Sequence, residues 1–350
     1  MSHERELYRI EDLPIFQNRV YDTPAEARAC PRGDVCLVQS PTTGLIYNAA
    51  FRPELLTYDP HYQNEQAVSP RFRRHLDDVA RIVEHTMGRR ELVEVGCGKG
   101  SFLELMVKRG AEMTGFDPTY EGRNPRIKRQ FFAVGVGIKA RGIVLRHVLE
   151  HVNDPSHFLH DLRLANGGSG LIYIEVPCFD WICTRRAWFD IYYEHVNYFR
   201  FTDFPRMFDK VISQGFLFDG QYQYVVADLA SLREPQASEA DRIAFPTDFL
   251  QNLHTDSPDG PAAVWGGASK GVIFSLLRER LGRPIKRMID INPAKQGKYI
   301  PGTGLRVEAP GGVLPSLPAG STIYVMNSNY LAEIRDMSSN AYHYVSIDHE

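Results

Sequence analysis

The stretch Leu92-Val-Glu-Val-Gly-Cys-Gly-Lys-Gly100 constrains this chain more than any other. An apolar run (Leu92, Val93, Val95) breaks into Gly96, Gly98 and Gly100, and Ser101-Phe-Leu-Glu-Leu-Met106 then reads as a helix. The pattern is strand, tight turn, helix. Backbone without Cβ lets a ligand come close, and the helix start offers free N–H groups. Met113-Thr-Gly-Phe116 reads as a second strand, ending in Asp117 and Pro118. An acid about 20 positions past such a turn suits a pair of ribose hydroxyls.

The spacing is not the G-x-G-x-x-G of a dinucleotide fold. With Glu94 inside the strand, it resembles the first motif of class I methyltransferases, which bind S-adenosylmethionine (SAM). The resemblance implies a cofactor site built from Glu94, Gly96, Cys97, Gly98, Gly100, Asp117 and Pro118. Cys97 reads as a small packing residue rather than a nucleophile.

At 350 residues the chain has room for two or three domains. Its 43% hydrophobic and 24% charged content is that of a soluble globular protein. A net charge of −3 gives no field that recruits nucleic acid or an anionic membrane. No apolar run approaches the roughly 18 residues of a membrane span. The charged start Met1-Ser-His-Glu-Arg-Glu-Leu7 lacks a signal-peptide core. Five irregularly spaced cysteines argue for a reducing compartment, so the expected location is cytoplasmic.

Residues 1–68 hold frequent turn residues and read poorly as a packed unit, apart from a hairpin of Val35–Val38 and Leu45–Tyr47. Cys30 and Cys36 make one loose pair, short of the four ligands of a structural zinc site. Ser69-Pro70 starts a helix whose apolar face is Phe72, Leu76, Val79, Val83 and Met87. Gly142–Leu145 and Leu171–Val176 are further strands, with a helix after Asp154-Pro155 between them. Alternating strands and helices give an α/β, mostly parallel, doubly wound sheet. His147, Glu150 and His151 spell the inverted zinc-protease signature H-x-x-E-H. That chemistry needs a long helix, and Asn153-Asp-Pro155 stops the segment within a turn. His147 reads either as a wall of the cofactor pocket or as a satisfied histidine at a helix start.

Residues 178–200 leave a strand on the ligand edge and are too long for an ordinary connection. Tyr192-Tyr-Glu-His195 places phenol, carboxylate and imidazole within four residues. Histidine can act as a base near neutral pH, and Glu194 or Tyr192 could steady developing charge. The alternative is an aromatic lid with a surface histidine. Thr202–Ile212 reads as a helix, Gly215–Phe218 and Tyr222–Val226 as closing strands, and 233–260 as a connector containing a helix. Ala262–Gly271 begins a second strand–turn–helix, with Ile285–Ile289 as its next strand and Asp290 after it. Two more strands follow, at Thr322–Met326 and Tyr342–Ile347.

The whole chain resembles the SAM-dependent sugar C-methyltransferases that act on nucleotide-linked keto-deoxysugars. The resemblance rests on Glu94–Gly100, Arg146-His-Val-Leu-Glu-His151, Tyr192-Tyr-Glu-His195, Trp265-Gly-Gly-Ala-Ser-Lys-Gly271, Asn292-Pro-Ala-Lys-Gln-Gly297 and Asn327-Ser-Asn-Tyr330. It implies His195 as the base that forms an enolate, with Glu194 and Tyr192 as helpers, and transfer of a methyl group to carbon. It also implies three units: 1–68, a SAM-binding domain at 69–232, and a Rossmann-like domain at 233–350. The family's N-terminal zinc module uses two cysteine pairs, but Ser40 and Thr43 stand where the second would be. No metal is therefore expected. A second reading keeps the SAM site and changes the acceptor to a non-sugar metabolite, methylated on O, N or C.

Overall fold

The protein is described here by a computed structural model covering residues 4–56, 66–254 and 261–348. The first three residues of the charged start, and positions 255–260 of the connector, lie outside the described residues.

The N-terminal segment forms β1 (Arg5–Pro14), a capped turn of helix α1 (Pro24–Arg28), β2 (Arg32–Gln39) and β3 (Ile46–Asn48). The expected hairpin is present: β2 and β3 pair antiparallel, Val38 opposite Tyr47. Contrary to the sequence reading, this segment is well packed. β1 pairs along β2 from Arg5 to Pro14 with two register shifts. Its charged residues and bulges hide the period-two alternation by which a strand is recognised.

Next come α2 (Pro70–Met87), β4 (Leu92–Val95), α3 (Ser101–Lys108), β5 (Met113–Phe116), β6 (Ile127–Lys128) and β7 (Gly142–Arg146). Ser69 caps α2 by accepting from the Phe72 amide, and the expected apolar face is buried. The chain continues through α4 (Pro155–Ala165), β8 (Leu171–Pro177), α5 (Phe179–Thr184), β9 (Asn197–Tyr198) and α6 (Asp203–Met207). It then closes with β10 (Val211–Leu217) and β11 (Tyr222–Asp228). The helix expected over Thr202–Ile212 ends at Met207. Val211 and Ile212 belong to β10, where β-branched side chains suit the pleat and β11 supplies the hydrogen bonds. The sheet order is β10-β11-β8-β7-β4-β5-β6, parallel from β8 to β6.

The C-terminal segment holds β12 (Ala262–Trp265), α7 (Ser269–Arg280), β13 (Arg287–Ile289), β14 (Val307–Glu308) and α8 (Pro310–Val313). β15 (Thr322–Val325), α9 (Leu331–Met337) and β16 (His343–Ser346) complete it. Its sheet, β14-β13-β12-β15-β16, is wholly parallel. The expected α/β architecture is therefore present in both sheets. The connector 233–260 contains short 3-10 turns at Glu239–Asp241 and Gln251–His254.

The lid segment 178–200 ties these parts together. Its β9 adds to β3 as the fourth strand of the N-terminal sheet. Its Trp188 is fully buried and stacks on Phe274 of α7 at 5.9 Å. Leu13, Val35, Trp188, Val264 and Phe274 belong to one continuous core.

Candidate active site

Strand order brings the chemistry to one edge. Asp117, His147, Pro177 and Asp290 all sit at the carboxyl ends of parallel strands, where open α/β sheets bind ligands.

The first turn is held from both sides. The Gly96 amide donates to Phe116 O at 2.8 Å, and the Gly98 amide to Asp117 Oδ2 at 2.8 Å. The Thr119 amide and hydroxyl both donate to Asp117 Oδ1 at 2.8 Å. Gly96 has φ +69, and a Cβ there would lie 2.5 Å from Val148 Cγ2. Gly100, also at positive φ, caps α3. A Cβ on Gly98 would meet nothing within 4 Å, so the space above the turn is open to a ligand. These features fit SAM: an open turn, a helix start and a carboxylate with acceptor capacity left for hydroxyls. Cys97 is buried, and burial pushes its thiol up, out of the nucleophile range. Pro118 is exposed beside Asp117. Glu94 is 3% exposed, its Oε2 has no hydrogen-bond partner among the described residues, and burial lifts its pKa to about 8 despite Arg146.

His147 follows the end of β7 and lines the cavity described below. Its ring faces two carboxylates: Nε2 lies 2.9 Å from Glu175 Oε1 and Nδ1 3.3 Å from Glu150 Oε1. Burial opposes its charge, but the two carboxylates raise its pKa to about 9. Glu175 is fully buried. Burial alone would raise it, yet His75, Arg146 and His147 hold it well below the usual carboxylate range. His147 has φ +51 and lies outside the 3-10 turn Leu149–His151, so the protease-type helical pair does not form.

A cavity of about 260 Å³ lies between the middle sheet and the C-terminal sheet. His147, Glu150, His151, Tyr192 and His195 line one side, and Gly266, Ser269, Lys270, Asp290 and Lys295 line the other. The glycines of the first turn and Asp117 are not among the lining residues. They stand nearby, because the charge of Lys99 in that turn helps depress the Lys295 amine, after the larger effect of burial.

The lid motif is internal rather than on the surface. His195 is 4% exposed, and burial, reinforced by His151, His147 and Lys270, holds its pKa well below the usual imidazole range. Its Nε2 is 2.7 Å from Tyr192 Oη, and its Nδ1 has no hydrogen-bond partner among the described residues. Burial keeps Tyr192 protonated. Glu194 is fully buried, accepts from the Gln17 amide at 2.8 Å and does not line the cavity. The three motif residues are therefore adjacent in sequence but face different neighbours.

The cavity also holds groups the sequence did not single out. Lys270 Nζ lies 2.8 Å from Asp190 Oδ2 and 5.2 Å from the Trp181 ring centroid. Lys270 lies in the stretch Trp265–Gly271 and Asp190 in the lid segment, so no local pattern joins them. Lys295 donates to Gly267 O at 3.1 Å and to Asn18 Oδ1 at 3.3 Å. Only its spacing from Asp290 hinted at this.

Sheet order, glycine turn and following acid define a class I methyltransferase fold. Residues 67–211 match the family model described as a methyltransferase domain. The matched segment contains the glycine turn, Asp117 and the Tyr192–His195 motif. Among solved structures, the chain is similar to the plantazolicin methyltransferase BpumL in complex with a triazolic desmethylPZN analog and SAH. That match has 18% identity, TM-score 0.28, and covers 33% of this chain and 50% of that one. This chain therefore spans half the length of BpumL. It is also similar to a SAM-dependent methyltransferase from Archaeoglobus fulgidus, at 18% identity, TM-score 0.36 and coverage of 46% and 95%. A third is the magnesium protoporphyrin IX methyltransferase of Synechocystis PCC 6803 with bound SAH, at 14% identity, TM-score 0.35 and coverage of 47% and 87%. No curated protein matches the chain. Among the described residues no helix is long and apolar enough to cross a membrane.

Proposed function

We propose that the protein is a SAM-dependent C-methyltransferase whose acceptor is a ketone, of the nucleotide-linked keto-sugar type, held in the cavity between the two sheets. The observation that carries this reading is the buried Tyr192–His195 pair, with His195 Nδ1 unpartnered beside the cavity. A base that is neutral at working pH and desolvated can take a weakly acidic proton from carbon beside a carbonyl. In the tautomer with Nε2–H donating to Tyr192 Oη, Nδ1 keeps its lone pair for that proton.

When bound, SAM would supply an electrophilic methyl group, with its thioether as the leaving group. The chain's own residues do the rest. Glu94, Gly96, Cys97, Gly98, Gly100, Asp117 and Pro118 form the cofactor side, with His147 as its neighbour on the cavity wall. Tyr192 holds the His195 ring. Glu194 fixes the lid to Gln17, and its charge also acts on the Lys295 amine. Asp290 and Lys295 offer a carboxylate and a cation to a hydroxyl-rich, anionic acceptor. The units 1–68, 69–232 and 233–350 divide the labour as N-terminal support, cofactor domain and acceptor-side domain.

His195→Gln tests the proposal. The variant should bind SAM as the wild type does, while methyl transfer to a keto-sugar nucleotide falls at least 100-fold. Wash-in of solvent deuterium beside the ketone, read by mass spectrometry, should vanish with it. Full turnover by the variant removes His195 as the base. Turnover with a non-sugar acceptor alone would move the enzyme to the second reading.

A further inference from the structure

The sequence set aside a metal at His147, Glu150 and His151 because that spacing needs a helix. The fold instead brings a different trio together. Glu150, His151 and His195 each offer one ligand atom, and these atoms all lie within 4.8 Å of one another. All three residues line the cavity.

Each side chain is held so that one donor atom remains. The His147 Nδ1 lies 3.3 Å from Glu150 Oε1, and Glu150 Oε2 is buried with no hydrogen-bond partner among the described residues. His151 Nδ1 donates to the Glu194 carbonyl at 2.8 Å, leaving Nε2. His195 Nε2 is engaged by Tyr192 at 2.7 Å, and the buried Nδ1 is unpartnered. Histidines that bind metals are oriented in this way by a carbonyl or hydroxyl on the far nitrogen. Glu150 and His195 are 1% and 4% exposed, so two orphaned polar atoms inside a cavity mark a place for a ligand rather than for bulk water.

We propose that Glu150, His151 and His195 form a binding site for one divalent transition-metal ion, and that an ion there blocks methyl transfer. Two imidazoles and a carboxylate with the cavity on the open side suit Zn²⁺, Co²⁺ or Fe²⁺ rather than Mg²⁺. Metal–ligand bonds of about 2.0–2.2 Å need the three atoms about 3–3.5 Å apart, so binding draws them together from their present spacing. Blockage follows because the metal takes the His195 lone pair that the proposed base needs. This consequence rests on the base assignment above, whereas the binding itself does not.

The test uses full-length protein without a histidine tag, stripped with chelator and titrated with Co²⁺ while visible absorption is recorded. One equivalent should bind, and Glu150→Gln and His151→Asn should each weaken binding at least tenfold. Absence of the absorption bands, or identical titrations in all three proteins, overturns the site. If the variants do not fold, X-ray absorption of the Zn²⁺-loaded wild type decides: two imidazole ligands are expected, and none overturns the proposal. Zn²⁺ should inhibit methyl transfer over the range in which it binds, and chelator should restore activity. Binding without inhibition leaves the site standing and overturns both the blockage and His195 as base. Absence of binding, with His195→Gln still inactive, overturns the metal site and leaves the catalytic reading intact.

Discussion

The Gly267 amide donates to Asp290 Oδ2 at 2.8 Å, repeating in the C-terminal sheet the bond from Gly98 to Asp117 in the middle one. The repetition extends further. Gly266 N donates to Ile289 O at 2.8 Å as Gly96 N does to Phe116 O, and the Asp290 amide donates to Glu308 O as the Asp117 amide does to Lys128 O, both at 3.1 Å. The strand orders β14-β13-β12-β15-β16 and β6-β5-β4-β7-β8 are the same. Two copies of one supersecondary design therefore stand on either side of the cavity.

Binding of SAM should release a proton that comes from Glu94. The pKa of the buried carboxyl is near 8, so it is largely protonated at neutral pH. A net positive ligand nearby lowers that value and expels the proton. Affinity should thus rise with pH and level off above about 8. Calorimetry in buffers of different ionisation heat should give close to one proton at about pH 7 and almost none above about pH 9. In Glu94→Gln the release should vanish; an undiminished release would trace the proton elsewhere.

Gly271→Ala should destabilise the protein by about 3 kcal/mol, because a Cβ there would lie 1.9 Å from Gly266 O, a backbone atom that cannot swing away. Gly311→Ala, with open space around its Cβ, should stay within about 0.5 kcal/mol. Denaturant midpoints of the two variants compare them directly.

Lys270→Met should cost more stability than Lys270→Met combined with Asp190→Asn. The pair is nearly buried, with side-chain exposures of 14% and 6%. Removing the cation alone leaves a buried carboxylate unpaired, at about 3–5 kcal/mol. A double-mutant cycle measures the coupling, and strictly additive losses would show that the contact contributes nothing.

Acid should erode one further contribution. The Arg109 guanidinium holds the Glu84 carboxyl at about 2, below its ordinary 4.5. Stability from this group is therefore complete above about 4.5 and is lost as pH falls toward 2. Glu84→Gln should flatten the stability profile across that window. At higher pH it should cost no more than about 1 kcal/mol, since Arg109 is 29% exposed. Thermal melts at stepped pH provide the check.

Local physics made half of this protein legible in advance. An apolar run, three glycines and a following acid can be read from neighbours in sequence, because close backbone approach and strand pairing depend on residue type and short-range spacing. The amphipathic face of α2, capped by Ser69, was readable for the same reason. The N-terminal sheet was not, since its fourth strand comes from Asn197–Tyr198 and its core from Trp188 and Phe274. Nor could sequence place His151 beside His195, or Lys270 on Asp190, because those contacts exist only once separate strands deliver their carboxyl ends to one cavity. The sequence by itself determined the glycine turn and the sheet class. Tertiary structure decided which charges lost water and which side chains met, and therefore which groups in the cavity are free to act.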